Sequence, residues 1–461
     1  FLINTSFAQE GPSSRLEIEE IIVTGTKRDI GQQDAAIAVS AITEQAFANQ
    51  NANDPRAIAS LVPNVTLTLQ PAFNAVAGGI RGTGSISILV TEDPSVAFLV
   101  DDFGLNHVQS QFIEMFDIEQ IEVYRGPQGT LFGKNATGGV ISVTTKKPVL
   151  DEWSGEFSAM AGQYDWNEGS INKFKLALNA PIVEGKIAMR VAAIWDKSQG
   201  FYTNSKPAGD FPGPIVLNPA AAWPDDGTSL SNVGDGGDLG GKDVLAAKVK
   251  LLFEPNASYS GHLIFEISKD DSGSPPTVNE TDCPGGQLFC LLGFPGIHTP
   301  SPNWGGEKWS NPYATGESYH CNSVISICKG HRMDSKGIYF NQTFAIGDNY
   351  TLKSITGYRN HEERNASTYT GEAFASLYDA SRNTERDQMQ QEFRLTSEFD
   401  GPFNFTAGVS YAEDNLNFAA YAAVGLQWFL GVPGWIHTDY SSTATHQNRT
   451  SKAYYLSLIH I

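Results

Sequence analysis

The glycine-rich stretch Ile121–Pro148, IEVYRGPQGTLFGKNATGGVISVTTKKP, could bind the phosphates of a nucleotide. A phosphate-binding P-loop has the spacing G-x-x-x-x-G-K-[ST], in which backbone amides and the lysine hold the phosphates. The position five residues before Gly133 is Gln128, and the residue after Lys134 is Asn135. The stretch therefore departs from the P-loop pattern at two positions, and we predict no nucleotide site.

Paired carboxylates at Asp101 and Asp102 could suggest hydrolysis, since glycosidases use two acids on one bond. Adjacent strand residues point to opposite faces and cannot share a bond, so we predict a turn here. The dinucleotide spacing G-x-G-x-x-G also fails, because Gly82–Gly84 is followed by Ser87. No nucleophile elbow or H-E-x-x-H motif is present. We therefore predict that the protein is not an enzyme and has no cofactor or metal site.

Four cysteines, Cys283, Cys290, Cys321 and Cys328, form two pairs with the same spacing in a region rich in Gly, Pro and Trp. Structural zinc sites commonly use C-x-x-C spacing, so zinc is the weaker alternative. We predict disulfides in an oxidising compartment. Four cysteines allow three pairings, and we favour the two local ones, Cys283 with Cys290 and Cys321 with Cys328.

The charge and hydropathy of the chain exclude two classes of protein. The chain has 31 Lys and Arg against 51 Asp and Glu, and this formal charge of -20 disfavours nucleic acid as a partner. No run approaches the ~18 apolar residues of a membrane helix. The N-terminal FLINTSFAQE resembles the end of a secretory signal, so residues 1–8 are predicted to be a signal-peptide remnant.

Residues 17–148 mix strand-like and helix-like segments. EEIIVTGTKR, VAFLVDD, IEQIEVYRG and VISVTTKK are predicted strands bounded by turn residues. TEQAFANQNANDPRAIASLVPNV carries helical stretches, with Asp54 and Pro55 as the predicted cap and first helical residue. This pattern predicts a small α+β domain over 17–148.

Residues 153–461 follow a different pattern, with segments of about ten residues that alternate polar and apolar side chains. In Glu392–Phe399 the even-numbered residues are polar, whereas Phe393 and Leu395 are apolar. KFKLALNA, AAKVKLLF and FNFTAGVSY show the same alternation. These segments are predicted to be antiparallel strands with one polar and one apolar face.

The connections between these strands alternate in length, which is typical of a transmembrane β-barrel with short turns on one rim and long loops on the other. PIVEGK, FEPNAS, IGDN and DGP are the short turns, and the long loops are Asp196–Asp243, Lys269–Lys336, Asn360–Gln388 and Asp414–Arg449. A secreted β-sandwich is the alternative, but it gives no reason for all long loops to share one end.

We count about ten strands in 153–461. Small barrels are filled by their own side chains, and only barrels of about 22 strands hold a plug. Either the 17–148 domain lies outside the membrane, or the chain is a fragment of a larger barrel. The end of the chain, KAYYLSLIHI, falls within a predicted strand and favours the fragment.

Four ordered motifs resemble the plug of TonB-dependent outer-membrane receptors: EEIIVTGTKR, GGIRGTGS, VAFLVDD and IEQIEVYRGPQGTLFGKNATGGVISVTTKKP. The resemblance implies an α+β plug domain followed by a transmembrane antiparallel β-barrel of 22 strands, of which about ten are present. It places the protein in the cell outer membrane, in contact with lipid. The glycines of the last motif are then expected to allow tight turns and close backbone approach.

By this resemblance, Glu20, Ile21, Ile22, Val23, Thr24 and Gly25 occupy the TonB box, the segment that binds the energy-transducing protein TonB. An extended β-branched run can add a strand to the sheet edge of a partner. The alternative is an ordinary first strand of the plug.

The resemblance also assigns Arg81 and Arg125 to the two arginines that hold the plug against carboxylates of the barrel. A buried guanidinium needs an acidic partner. Glu392, on the polar face of its strand, is the predicted partner, and Glu398 shares that face.

The implied function is active uptake of a scarce nutrient, with an iron-siderophore complex as the leading candidate. Cobalamin or an oligosaccharide is the alternative cargo, and a passive porin or a secreted adhesin is the alternative function. Aromatic and polar side chains on plug apices and long loops are the predicted substrate contacts, although loop aromatics can equally pack against one another: Phe73, Asn74, His107, Gln109, Trp304, Trp309, Tyr313, Trp428 and Trp435.

Overall fold

A computed structural model describes residues 22–24, 27–28, 30–50, 53–70, 75–85, 89–111, 113–164, 169–199, 202–203, 238–239, 241–272, 331–368, 378–424 and 439–460. None of the helices in these ranges is long and apolar enough to cross a membrane.

The first region, called the plug below, contains short strands and helices. Its described elements are β1 (Ile22–Val23), β2 (Ile30–Gly31), β3 (Val39–Thr43), α1 (Glu44–Ala48), α2 (Arg56–Leu61), β4 (Val65–Gln70), β5 (Ala75–Ile80), β6 (Thr83–Ser85), β7 (Val96–Val100), β8 (Phe103–Leu105), β9 (Ile118–Arg125), α3 (Gly129–Phe132) and β10 (Gly139–Thr145). The predicted α+β character of this domain is confirmed.

A five-stranded mixed sheet organises the plug, in the order β3-β9-β10-β7-β8. β7 runs parallel to β10, and the other neighbours are antiparallel. Strands β9 and β10 carry fully buried residues such as Ile121, Val123 and Ile141, which form the centre of the plug core. Asp101 and Asp102 form the predicted turn, between β7 and β8.

The glycine-rich stretch provides turns and close contacts, as predicted. Gly133 ends α3 with φ +74°, a conformation that residues with a side chain rarely adopt. A Cβ atom on Gly138 would lie 2.5 Å from the carbonyl oxygen of Thr83, so only glycine fits beside that backbone. The sequence therefore uses glycine to pack β10 against the hairpin of β5 and β6.

The second region forms one antiparallel sheet of ten strands, which confirms the predicted number. In chain order these strands are β11 (Ser154–Gln163), β12 (Ser170–Val183), β13 (Ile187–Ser198), β16 (Lys242–Asn256), β17 (Tyr259–Asp270), β18 (His331–Ile346), β19 (Tyr350–Thr368), β20 (Tyr378–Ser397), β21 (Phe403–Val424) and β22 (Asp439–His460). A separate pair, β14 (Tyr202–Thr203) and β15 (Asp238–Leu239), lies between β13 and β16 in the chain.

The short turns fall where the sequence predicts them, after β12, β16, β18 and β20. The strands at the other rim extend well beyond the predicted loop boundaries, and β21 and β22 each reach 22 residues. About ten residues suffice for a strand to cross a membrane. The polar strand ends were assigned to loops because hydropathy alternation reports only the part of a strand that faces lipid.

One face of this sheet is apolar and exposed, and the other is polar and covered by the plug. Phe393 is 46% exposed, whereas its neighbours Glu392 and Arg394 are 8% and 3% exposed. Exposed aromatic and aliphatic residues continue across the outer face, among them Phe157, Phe174, Trp195, Phe253, Phe265, Tyr358 and Tyr454. We call the polar inner face the wall.

The sheet is open, because among the described strands β11 and β22 end the order and do not pair with each other. The plug packs on the wall, and Ile264 of β17 and Tyr339 of β18 belong to the same hydrophobic core as β7 and β9. Ten strands therefore carry a plug on their inner face without enclosing it.

Candidate functional site: the interface between plug and wall

The first described strand lies on the plug, where side chains of β9 bind its backbone. Ile22–Val23 pairs antiparallel with Ile30–Gly31, and Val23 is fully buried. The backbone N–H and the hydroxyl of Thr24 donate to Glu122, at 2.9 and 2.8 Å. Nε2 of Gln120 donates to the carbonyl oxygen of Ile22, at 2.8 Å.

Glu122 is a buried carboxylate at the centre of this contact. Besides Thr24, the hydroxyl of Tyr124 and the amide of Gln120 donate to it. Burial raises the pKa of Glu122, and the hydrogen bonds from Tyr124 and Thr24 only partly oppose that effect. The described part of the predicted TonB box is thus bound by a satisfied polar cluster on β9, while Glu20, Ile21 and Gly25 lie outside the described residues.

The N-terminal segment also contacts the rim of the wall that carries the short turns. Nη2 of Arg28 donates to the carbonyl oxygens of Ser397 and Phe405, both at 2.7 Å. Its Nε donates to the hydroxyl of Thr406, at 3.2 Å. Ser397 and Phe405 flank the turn between β20 and β21, so the segment after the predicted box lies at that rim.

Asp117 connects the plug to two cations of the wall. Its carboxylate accepts from Nη2 of Arg190 at 2.5 Å and from Nζ of Lys250 at 3.0 Å. Lys250 is fully buried and also donates to the carbonyl oxygen of Lys146, at 2.7 Å. Burial by itself would raise the pKa of Asp117, but Arg190 and Lys250 outweigh it and hold the pKa below its usual range.

Other plug carboxylates also face cations of the wall. The nearest N to O distances are 3.4 Å for Glu114 with Lys242, 2.6 Å for Asp93 with Arg449 and 3.8 Å for Asp102 with Arg394. Burial raises the pKa of Glu114 to about 7, and Lys242 opposes this shift only in part. In these pairs the plug supplies the acid and the wall supplies the base.

The turn and strand Asp101–Gly104, called the anchor turn, contact the wall mainly through neutral groups, in addition to the ion pair of Asp102 with Arg394. Asp101 and Asp102 both have positive φ, 49° and 69°, which directs their carbonyl groups toward the wall. Nδ2 of Asn341 donates to the carbonyl oxygen of Asp101, at 2.9 Å. Nε2 of Gln390 donates to the carbonyl oxygen of Asp102 at 3.2 Å, and its Oε1 accepts from the backbone N–H of Gly104 at 3.0 Å. Nε2 of Gln388 donates to the carbonyl of Gly104.

Phe103, in the middle of the anchor turn, fills a notch in the wall. Its ring lies 4.8 Å from the ring of Tyr339 and is 1% exposed. A Cβ atom on Gly357 would lie 2.4 Å from the Phe103 ring, so the absence of a side chain there creates the notch. The hydroxyl of Tyr339 in turn accepts from Arg359, at 3.5 Å.

The predicted contact of Arg81 and Arg125 with Glu392 does not form. Arg81 is exposed with φ +54°, and its Nη1 lies near Gly126, beside Arg125. Glu392 instead accepts from Arg394 at 2.7 Å and from the hydroxyl of Tyr455 at 2.7 Å. The neighbouring wall residues thus satisfy this carboxylate without a plug arginine. The roles of Arg81 and Arg125 stay predictions.

Two predicted substrate contacts are buried between plug and wall. His107 is 1% exposed, and its Nε2 lies 2.9 Å from Asp414, which also accepts from Arg386 at 2.6 Å. Burial lowers the pKa of His107 to about 4, and Arg386 adds to this effect. Gln109 is 5% exposed. In this structure neither residue offers a surface to a ligand.

The remaining predicted contacts and the four cysteines lie outside the described residues and stay predictions: Phe73, Asn74, Trp304, Trp309, Tyr313, Trp428, Trp435, Cys283, Cys290, Cys321 and Cys328. Within the described ranges no group of His, Cys, Asp and Glu could hold a metal ion.

Sequence reasoning missed Asp117, Arg190 and Lys250, although a signal was present. Arg190 and Lys250 stand at inward positions of β13 and β16, and they are direct neighbours across the two strands. Two inward cations side by side require a carboxylate from a facing element. That requirement predicts an acidic plug residue opposite them.

Comparison with known proteins identifies the plug. Residues 31–140 match the TonB-dependent Receptor Plug Domain family. The pesticin receptor of Yersinia pestis is 25% identical over 231 residues, which cover 48% of this chain and 30% of that protein. The ferric enterobactin receptor of Pseudomonas aeruginosa is 28% identical over 227 residues, which cover 44% of this chain and 30% of that protein.

Solved structures share the fold at low sequence identity. The ferric yersiniabactin uptake receptor FyuA of Yersinia pestis aligns with a TM-score of 0.58 at 14% identity, over 92% of this chain and 62% of that chain. The ferripyoverdine receptor of the outer membrane of Pseudomonas aeruginosa aligns with a TM-score of 0.62 at 12% identity, over 95% of this chain and 51% of that chain. The chain thus covers less than two thirds of each of these relatives.

Proposed function

Because the chain carries a TonB-dependent receptor plug domain and ten strands of an outer-membrane β-barrel, we propose that it serves TonB-dependent active uptake of an iron-siderophore complex. The similar proteins include a probable TonB-dependent siderophore receptor of Acinetobacter baumannii and receptors for ferric enterobactin and ferric yersiniabactin. These names support the cargo class. Cobalamin or an oligosaccharide is the alternative cargo.

One observation supports the energised mechanism best. The N-terminal strand Ile22–Val23 is followed by Arg28, which binds the rim of short turns, the periplasmic rim in outer-membrane barrels. A periplasmic partner can reach this strand there and add its own strand to it by backbone hydrogen bonds. We propose Glu20, Ile21, Ile22, Val23, Thr24 and Gly25 as the segment that TonB binds.

A passive porin is the second candidate, and the interface opposes it. The plug is bound to the wall by the Asp117 ion pairs, by the anchor turn and by the contact of His107 with Asp414. An unaided solute would have to break these contacts to pass. A transporter that receives energy through the N-terminal segment does not meet this difficulty.

The test is accumulation of ⁵⁵Fe by cells that express the receptor, supplied in turn as a catecholate, a hydroxamate and a citrate chelate, with and without a protonophore. We expect accumulation of at least one chelate that the protonophore abolishes. Ile22→Pro removes a backbone donor from the added strand and should abolish the same accumulation. Ile22→Ala keeps that donor at a 45% exposed position and should lose much less.

Protonophore-resistant accumulation would support the porin and contradict the proposal. Equal accumulation by Ile22→Pro and Ile22→Ala would exclude strand addition at this segment. Accumulation of labelled cobalamin or oligosaccharide instead of iron would change the cargo and leave the energised mechanism intact.

A further inference from the structure

A cavity of about 400 Å³ lies between the plug and strands β20 to β22 of the wall. Small-molecule sites in proteins commonly measure about 300 to 1,000 Å³. The plug contributes the N-terminal segment, strands β7 and β8 and the helix α3, and the wall contributes residues such as Gln390, Glu392 and Tyr455. Several parts of the molecule therefore meet around one space that is large enough for a small ligand.

Lys27 gives this cavity a positive charge that has no paired carboxylate. Its side chain lines the cavity, and the residue is only 7% exposed. The Nζ atom lies 4.3 Å from the centre of the Phe132 ring. Within the part of the chain that the structure describes, no carboxylate oxygen lies within 4.0 Å of this Nζ atom. A buried ammonium group in this situation favours the binding of an anion.

The electrostatics of Lys27 agree with this geometry. Burial lowers the pKa of the Lys27 amine to about 8, and the nearby Arg394 guanidinium adds to this effect. The carboxylates of Glu392 and Asp102 oppose the shift but do not cancel it. Glu392 already accepts from Arg394 at 2.7 Å and from the hydroxyl of Tyr455 at 2.7 Å. The space beside Lys27 is thus short of negative charge.

Asp102 provides a charge of the opposite sign in the same cavity. Its side chain lines the cavity and is 43% exposed, and its ion-pair partner, Nη2 of Arg394, lies at 3.8 Å. That distance is too long for a hydrogen bond, which spans about 2.7 to 3.2 Å. The carboxylate of Asp102 can therefore accept from a ligand. A molecule that fits both residues carries a carboxylate for Lys27 and an ammonium group for Asp102.

The charges around the cavity distinguish such a zwitterion from a pure anion. Lys134 also lines the cavity, but its Nζ lies 3.3 Å from Asp93. A dicarboxylate would meet Lys27 at one end and would be repelled by Asp102 at the other. A phosphate would bring a larger negative charge close to Asp102 and Glu392. The lining therefore favours a ligand with one charge of each sign.

We propose that this cavity binds a small amino carboxylate, a molecule that carries one carboxylate and one ammonium group. Lys27 binds the carboxylate and Asp102 binds the ammonium group, where the N-terminal segment, the anchor turn and the wall meet. The site does not depend on the proposed uptake function, and the purified chain is sufficient to test it.

Isothermal titration calorimetry of the purified chain in detergent tests the site with pairs of probes that have the same number of carbon atoms. The pairs are β-alanine with malonate, 4-aminobutyrate with succinate, and 6-aminohexanoate with adipate. We expect at least one amino carboxylate to bind with a dissociation constant on the order of 1 mM, and its dicarboxylate to bind at least about tenfold more weakly. Equal affinity within every pair, or no binding of any amino carboxylate, would overturn the proposal.

Substitutions assign the two charged groups. Lys27→Gln removes the charge that binds the carboxylate and should weaken binding of the amino carboxylate at least about tenfold. Asp102→Asn should remove the preference over the dicarboxylate, and asparagine tolerates the φ of 69° at this position. Lys134→Gln is the matched control, because this lysine lines the same cavity beside its own carboxylate, and it should change binding less than about twofold. An equal loss in Lys27→Gln and Lys134→Gln would contradict the assignment and overturn the proposal.

Chemical protection tests Lys27 in the unaltered protein, whatever the substitutions do to folding. Cyanate carbamoylates neutral amines, and mass spectrometry of peptides reports the modified fractions of Lys27 and Lys134 in the same sample. A saturating amount of the amino carboxylate that binds best should slow the reaction of Lys27 relative to Lys134 at least about fivefold. Absence of this protection with a probe that binds would place the ligand elsewhere and overturn the proposal.

Discussion

Two contacts hold the plug to the wall in opposite ways. At Asp117 one carboxylate meets two buried cations, Arg190 and Lys250, whereas at the anchor turn backbone groups and Phe103 meet amide side chains and a glycine notch. The first contact is strong only while it is dry and complete. The second depends on shape and on neutral hydrogen bonds.

The difference indicates how a plug can be both secure and removable. A buried ion pair is costly to break when one partner is deleted, yet it adds little once water reaches both charges. A filled notch keeps its free energy until the two surfaces separate. The two kinds of contact should therefore respond differently to the entry of water and to salt.

The largest expected effect comes from Asp117→Asn, which leaves Arg190 and Lys250 without their carboxylate. An uncompensated buried charge costs about 3–5 kcal/mol, so the free energy of plug release should fall by that order. Urea-dependent hydrogen exchange of the β9 and β10 amides measures it. Glu119→Gln, at an exposed position two residues away, is the matched control and should change little.

If Asp117→Asn and Glu119→Gln released the plug at the same urea concentration, the ion pairs would not secure the plug. Of the two contacts compared, only the anchor turn would then remain as one that secures the plug.

Gly357→Ala should have the next largest effect, because its Cβ atom would overlap the Phe103 ring. Overpacking a close contact costs about 1–3 kcal/mol, and here the cost falls on docking of the anchor turn. The amide of Gly104 should therefore exchange faster, and added salt should not change the difference. Gly401→Ala, where a Cβ atom meets nothing within 4 Å, is the control. A salt-dependent difference would mean that docking of the turn depends mainly on the ion pair of Asp102 with Arg394.

The sequence predicted the elements of both regions better than the contacts between them. Alternation and turn residues located the strands at Val96–Val100 and Ile118–Arg125 and the inward position of Glu392, because these features depend on residues close in the chain. In this structure Glu392 binds other partners than the predicted ones, since pairing across an interface depends on register and on competing neighbours. Arg394, on the same strand, reaches Glu392 before any plug arginine does.

The notch at Gly357 shows the same limit. A glycine in a strand predicts a bulge or the close approach of another group, but it does not say which group approaches. Phe103 lies 254 positions away in the chain, and only the fold brings the two together. His107 was predicted as a substrate contact from its place near a plug apex, yet the wall residue Asp414 covers it.

Thr24→Val tests the contact that holds the N-terminal strand, which should be weaker than either of the other two. The change keeps the shape but removes the hydroxyl that donates to Glu122, and loss of one hydrogen bond costs about 1 kcal/mol. A spin label at position 22 should report a more mobile segment, by roughly fivefold in its free population. Thr68→Val, which removes a hydroxyl of β4 that donates to Ala77 O, is the control. Equal mobility in both variants would show that the backbone pairing with β2 holds the strand by itself.

The smallest expected effect is the pH dependence of plug release, because two buried groups have opposite effects. Glu114, whose pKa is raised to about 7, favours docking at low pH, and this stabilisation is lost as pH rises from 4.5 to about 7. His107, whose pKa is lowered to about 4, is docked as the neutral form, so its stabilisation is present above pH 6.5 and is lost as pH falls toward 4. Between pH 4.5 and 6.5 the two slopes therefore cancel in part.

Single variants should separate the pH dependence that comes from Glu114 from the one that comes from His107. Urea-dependent hydrogen exchange at pH 4.5, 5.5, 6.5 and 7.5 measures the stability of docking in each variant. Glu114→Gln leaves His107, so docking should become more stable as pH rises from 4.5 to 6.5, by at most about 1.4 kcal/mol per pH unit. His107→Gln leaves Glu114, so docking should become less stable over the same interval. The charged groups that act on the two residues remain in both variants, namely Lys242, Asp196, Asp270 and Asp54 around Glu114, and Asp414, Arg386 and Arg449 around His107. If docking stability changed with pH in the same direction in both variants, another titrating group would govern docking. Changes in opposite directions would assign the pH dependence of docking to Glu114 and His107.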